Sequence, residues 1–314
     1  MKILVLMTGG TIGSTVKDGW ITTDSTAKYA LLENYKNKFG SGTEFTVLEP
    51  YCLLSENLCA EKLNLLIDTV KENINCGYDG IIITHGTDSL HFSAAAIHLA
   101  FSDAFVPIVF VSANYPIENP LSNGNANFEG AVKFIESGIK AGVYISYKNP
   151  DGKHYFHSAI NALGFNETDD SIYSLANKPF GVHKDGCVEI LGTYPVDNFT
   201  FRSHFCESPK ILSITVAPGD SFDYSLKGYN AVILRPYHSG TINNESAYFK
   251  AFLKKAANEN LPVFLVNAPS GTTYETIKEA KNLNIIPLPR TTFAAVYMRL
   301  WAGISENKNL KNLF

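Results

Sequence analysis

Short unbroken apolar runs alternate, along the first half of the chain, with stretches in which apolar residues recur every three or four positions. Residues 3–7, 45–48, 80–84, 106–112 and 143–147 are runs of the kind that form strands buried on both faces. Between them, residues 60–76 place Leu63, Leu66, Ile67, Val70 and Ile74 on one helical face. Residues 89–100 do the same with Leu90, Ala94 and Ile97, which Phe101 extends, and residues 126–140 form a further amphipathic helix. This alternation predicts a parallel sheet with helices on both faces. Residues 149–186 are irregular, with Asn149-Pro150-Asp151-Gly152 and Lys184-Asp185-Gly186 reading as hairpin-like turns. The rhythm resumes with strands at 211–216, 231–234 and 262–266 and helices at 245–258, 274–283 and 292–302. The expectation is an α/β protein: a larger N-terminal parallel-sheet domain over 1–191, a linker at 192–209, and a smaller α/β domain over 210–314.

Composition narrows the class. The chain has 314 residues, 45% hydrophobic and 18% charged, with 26 basic against 30 acidic residues and a net charge of −4, as in ordinary globular proteins. No basic block points to nucleic acid. No apolar run approaches a membrane span, and the start is too soon broken by glycine for a signal peptide. Cys52, Cys59, Cys76, Cys187 and Cys206 are odd in number and lack zinc spacing. They read as free thiols in a reducing cytoplasm.

The chemistry concentrates where strands end. The run 3–7 breaks into Thr8-Gly9-Gly10-Thr11-Ile12-Gly13, and the run 80–84 into His85-Gly86-Thr87-Asp88-Ser89. In an open α/β sheet, ligands bind at the carboxyl ends of the strands. Closely spaced glycines there let the backbone turn sharply and come near a ligand, which leaves Thr11 displayed among bare amide N–H groups. A hydroxyl in that setting has the layout of a nucleophile beside an anion hole. Neither G-x-G-x-x-G nor a Gly-Lys-Ser/Thr loop is present, so a phosphate cradle does not fit. Asp88 also stands where it would cap the following helix.

Together, T-G-G-T-I-G at 8–13 and T-H-G-T-D-S at 84–89 resemble the L-asparaginase (asparaginase/glutaminase) family of amidohydrolases. Ser55-Glu56-Asn57-Leu58 resembles that family's third site segment, Tyr237-His238-Ser239-Gly240-Thr241 its small-domain glycine loop, and residues 291–301 its terminal helix. The resemblance implies hydrolysis of L-asparagine to L-aspartate and ammonia, without metal or organic cofactor, by a cytoplasmic homodimer or homotetramer. Residue by residue, it implies Thr11 as nucleophile, Thr87 as the threonine that holds the amide or attacking water, and Asp88 as reader of the α-amino group. Ser55 and Glu56 match substrate-contacting positions, and Gly86 lies inside the second motif.

The chain also departs from the family pattern. Gly19-Trp20 stands where the family's lid carries glycine and tyrosine, which makes Trp20 a substrate-facing candidate without a hydroxyl, with Tyr29 the nearest phenol. The residues 20–26 read as a surface connection or a lid. Counting from Gly152 places His157 at the family's catalytic lysine, where a histidine can serve as general base; Lys153 is the alternative. Glu56 adds a carboxylate beside Asp88, suiting an ammonium and opening the way to another small amide. Ala268-Pro269-Ser270-Gly271 lacks the family's usual polar pair at that loop. Competing readings are a non-catalytic amino-acid-binding homologue and the amide-hydrolysing subunit of a tRNA-dependent amidotransferase. The latter ranks low, because such a subunit normally carries an extra N-terminal domain.

Overall fold

A computed structural model describes residues 1–23, 27–139, 142–166, 168–195, 197–268 and 274–314. The described chain divides into two compact units, Met1–Arg202 and Ser203–Phe314.

In the first unit, the elements follow in the order β1 (Lys2–Met7), β2 (Ser14–Lys17), β3 (Trp20–Thr23), α1 (Ala27–Phe39), β4 (Glu44–Leu48), α2 (Ala60–Asn73), β5 (Gly80–Thr84), α3 (Leu90–Phe101), β6 (Ile108–Val111), α4 (Gly124–Glu136), β7 (Val143–Lys148), β8 (His154–Ser158), β9 (Gly181–Lys184) and β10 (Cys187–Ile190). Eight strands form one sheet in the order β10-β9-β8-β7-β6-β5-β1-β4. The strands β4, β1, β5, β6 and β7 are parallel, and β8, β9 and β10 add antiparallel hairpins. Alternate residues of β1 show why both faces need cover. Ile3, Val5 and Met7 join a core with α1 and α4, while Leu4 and Leu6 are equally buried on the other face. On that other side α2 and α3 pack together. The fold class is the expected α/β one, with a large, mostly parallel sheet and a smaller parallel one.

Some elements differ from the sequence expectation. Residues 149–186 are not irregular throughout: the two expected turns are flanked by β7–β8 and β9–β10 pairing. Residues 14–23 form a two-stranded hairpin, β2 with β3, around Asp18 and Gly19, both with positive φ. The lid reading for 20–26 therefore falls on strand β3 up to Thr23, and 24–26 lie outside the described residues. Asp88 does not cap α3; the residue before the helix is Ser89, and no side chain caps it.

In the second unit, β11 (Ile211–Thr215), β12 (Ala231–Arg235), β13 (Val263–Ala268) and β14 (Ile285–Pro289) form a parallel sheet in that order. The helices α5 (Ala247–Asn258), α6 (Glu275–Asn282) and α7 (Phe293–Ser305) complete it. Ser246 caps α5 by accepting from Phe249 N–H, and Thr292 caps α7 by accepting from Ala295 N–H. The strand β14 has no counterpart in the sequence expectation, and residues 269–273, which include the Pro269-Ser270-Gly271 singled out in the sequence, lie outside the described residues. Among the described residues no helix is long and apolar enough to cross a membrane.

Candidate active site

The strand order places the site. From β1 the chain passes through α1 to β4 on one side; from β5 it passes through α3 to β6 on the other. The order of strands therefore reverses between β1 and β5, and the loops leaving their carboxyl ends bound a crevice. Met7 pairs with Thr84 at the last step of that register. The contact continues past it, because Thr8 Oγ1 donates to Thr84 O at 2.5 Å.

A third segment closes the crevice from the β4 side. Leu53 N–H donates to Thr8 O at 3.1 Å and Gly10 N–H donates to Leu53 O at 3.0 Å, extending the sheet past β1. Glycine is required at this crossing. Gly9 and Gly10 have φ of 100° and 76°, and a Cβ on Gly10 would collide with the backbone of Gly86. A Cβ on Gly86 would in turn lie 2.7 Å from Ser55 Cβ. Residues of three loops, Gly10, Gly86 and Ser55, are thus in direct apposition.

Around that apposition stand most of the candidates drawn from the sequence. Thr11 opens a single 3₁₀ turn, Thr11–Gly13, and is half-buried; no group among the described residues hydrogen-bonds its hydroxyl. Ser14 Oγ donates to Gly10 O at 2.8 Å and braces the turn from behind. Thr87 is half-buried and Asp88 exposed, one and two residues beyond buried Gly86. Ser55 is buried and holds Asp88 twice: Asp88 N–H donates to its Oγ at 3.2 Å, and the same hydroxyl lies 3.3 Å from Asp88 Oδ2. Ser89 Oγ donates to Ser55 O at 2.6 Å, locking the two loops together. Glu56 is exposed on the turn Ser55–Asn57, beside these groups in sequence. Trp20 is 75% exposed on β3, a strand that packs against the Thr11 turn. The phenol of Tyr29 donates to Glu49 at 2.9 Å.

The structure places His157 inside the large sheet. It lies on β8, and the pairings Ile83–Phe110, Phe110–Ile145 and Ile145–His157 set it on a row three strands from β5. That is roughly 14 Å of backbone separation at the usual strand spacing. Its ring is buried, Nδ1 is 2.7 Å from Ser174 Oγ, and burial holds its pKa down to about 3. It is a buried histidine of the sheet, and among the described residues its hydrogen-bond partner is Ser174. Lys153 is exposed in the β7–β8 turn.

Polar groups that sequence reasoning missed lie behind the crevice. His85 is buried, with Nδ1 2.8 Å from Gly86 O and Nε2 2.8 Å from Ser93 Oγ on α3. Burial lowers its pKa to about 4, so the ring is neutral at pH 7. Tyr51, next to the Leu53 crossing, is buried as well, and desolvation pushes its phenol well above the ordinary range. A histidine between a strand end and a glycine was the available signal for the first; nothing in the local pattern marks the second.

Comparison with known proteins gives the family of the chain. The family model described as "Asparaginase, N-terminal" matches residues 2–165. An L-asparaginase of Thermococcus kodakarensis is 24% identical over 100% of this chain and 95% of its own length. A subunit of the glutamyl-tRNA(Gln) amidotransferase of Methanococcus maripaludis is 27% identical over 90% of this chain and 68% of its own. Among solved structures, the thermostable L-asparaginase from Thermococcus kodakarensis superposes with a TM-score of 0.81 at 22% identity, over 100% of this chain and 95% of that one. L-asparaginase I from Vibrio cholerae gives the same TM-score at 21% identity, over 99% and 95%. The match of the family model over more than half of the sequence, on the residues that build the crevice, makes this chain a member of the asparaginase family of amidohydrolases.

Proposed function

We propose that the protein hydrolyses the side-chain amide of L-asparagine, giving L-aspartate and ammonia, with Thr11 as nucleophile. The observation that carries this reading is the apposition of the Thr11 turn, the Thr87–Asp88 loop and Ser55 at the strand-order reversal. The Thr11 hydroxyl oxygen attacks the carboxamide carbon, the C–N bond breaks, and the hydroxyl proton ends on the departing nitrogen as ammonia. Water then cleaves the resulting ester and restores the threonine. Thr87 holds the amide or the incoming water. Asp88, fixed by Ser55, receives the substrate ammonium, and Glu56 adds a second carboxylate on that side. The same reading includes a homodimer or homotetramer in the cytoplasm.

The relatives among amidotransferase subunits favour a second reading. In it, the amide is other than free asparagine and the ammonia serves a partner enzyme. Ammonia release is therefore to be measured with L-asparagine, L-glutamine and D-asparagine side by side. Fast release from L-asparagine supports the first reading, and release from L-glutamine alone favours the second. No release from any amide by folded protein overturns both, and stabilisation by L-aspartate would then mark a binding protein.

A further inference from the structure

The buried polar pair behind the crevice, His85 and Ser93, has a fixed donor and acceptor pattern. A carbonyl oxygen only accepts, so the 2.8 Å contact from His85 Nδ1 to Gly86 O requires a proton on Nδ1. In a neutral ring Nε2 is then bare, and it accepts from the Ser93 hydroxyl, also at 2.8 Å. Both residues are buried, His85 at 2% and Ser93 at 0% exposure, so water does not compete for these bonds. The Phe110 ring, edge-on at 6.0 Å between centroids, backs the imidazole from β6.

This pattern sets the direction of a single peptide plane. The peptide joining Gly86 to Thr87 is trans, so its C=O and N–H point in opposite directions. With Gly86 O drawn toward the buried ring, the Thr87 N–H points away from it. The next amide, Asp88 N–H, is occupied by Ser55 Oγ. The Thr87 N–H has no partner among the described residues. It is thus an unpaired donor on the loop whose Gly86 abuts the Thr11 turn through Gly10.

We propose that His85 is a positioning residue that aims the Thr87 backbone N–H at the substrate carbonyl oxygen, its ring held in the Nδ1–H tautomer by Ser93. The inference rests on the amidohydrolase reading above and deepens it, because the oxygen in question is the one on which charge develops when the amide is attacked. His85 touches neither substrate nor nucleophile; it acts through the orientation of the Gly86–Thr87 peptide.

The test combines kinetics with NMR on the full chain. His85→Phe removes the Nδ1–H, and His85→Asn keeps an N–H donor near the same place. Removing an anion-hole donor costs about 10²–10³-fold in kcat, so His85→Phe is expected to lose about 10²-fold in kcat with KM within a few-fold. His85→Asn recovers most of that loss, and Ser93→Ala falls between. In the wild type, imidazole ¹⁵N spectra show Nδ1 protonated and Nε2 bare, and L-aspartate shifts the Thr87 amide resonance in wild type but not in His85→Phe. A bare Nδ1, an unchanged kcat in His85→Phe, or a folded His85→Asn as impaired as His85→Phe overturns the proposal. If the wild type hydrolyses no amide, the amidohydrolase reading fails on its own, and the tautomer with the Thr87 shift still decides whether His85 orients that donor.

Discussion

Ser55 and Asp88 are joined through one hydroxyl, which accepts from the Asp88 backbone N–H at 3.2 Å and lies 3.3 Å from the Asp88 carboxylate. The serine is buried, so the bond to the main chain is shielded from water while the carboxylate reaches the surface. Ser55→Ala leaves a partly buried N–H without its acceptor, a change of about 1–3 kcal/mol in stability. It also frees the carboxylate to swing. The expected outcome is a rise in KM for L-asparagine of about tenfold or more with a smaller change in kcat, the pattern of lost ground-state binding. A variant with unchanged KM would remove Asp88 from substrate recognition.

Thr11 and Thr87 lie on loops and are half-buried, so their hydroxyls can be removed without opening the core. Thr11→Val and Thr87→Val are each expected to abolish ammonia release while shifting stability by less than about 1 kcal/mol. Circular dichroism and thermal unfolding check the fold, and an ammonia assay checks the chemistry. Near-normal turnover in Thr11→Val would take the nucleophile role from it.

Gly10 and Gly86 are constrained sterically. A Cβ at Gly10 meets the Gly86 backbone, and Gly10 also has φ of 76°, which an L side chain adopts at a cost. Gly10→Ala is therefore expected to push the two loops apart, destabilising the chain by more than about 2 kcal/mol and removing activity. By contrast, Gly19→Ala meets nothing within 4 Å, and only its φ of 81° opposes the change. It is expected to lose about 1 kcal/mol. Equal losses in the two variants, measured by urea unfolding, would contradict the steric account.

Much of this site is legible in the amino-acid sequence, and the parts that are not share a physical cause. Runs such as Gly80–Thr84 announce a strand because both faces are buried, and the glycine clusters after them mark loops that must pass close to one another. The hairpin at 14–23 is legible too: Asp18-Gly19 between short β-rich segments is a strong two-residue turn signal, which a lid reading of the same residues hides. The strands β8, β9 and β10 are harder to read. Histidines on β8 and β9 interrupt the apolar pattern and β10 is largely exposed; His154 is buried with its Nε2 2.8 Å from Ser146 Oγ. His157 lies in the same segment. Its spacing from Gly152 matches a family position, but the antiparallel hairpin carries it back down the sheet, a consequence of β7–β8 pairing that linear spacing does not encode.

The placement of His157 makes two predictions that an active-site base would not satisfy together. Its ring is buried, and burial lowers its pKa to about 3 from an ordinary 6.5. In the unfolded chain it binds a proton below about pH 6.5, whereas in the folded chain it stays neutral to about pH 3. Between those values the unfolded state holds more protons, so stability rises with pH there, is complete above pH 6.5, and is lost on acidification. The contribution of this histidine reaches about 1.4 kcal/mol per pH unit inside the window. His157→Gln keeps a partner for Ser174 and removes the titration. Urea unfolding from about pH 7 to about pH 4.5 is expected to show a slope shallower by close to one proton in this variant. Ammonia release at neutral pH is expected to stay within about threefold of the wild type, because a general base contributes about 10²–10⁴-fold. A loss of that larger size, with the fold intact, would return His157 to the catalytic machinery and require the β8 hairpin to rearrange when substrate binds.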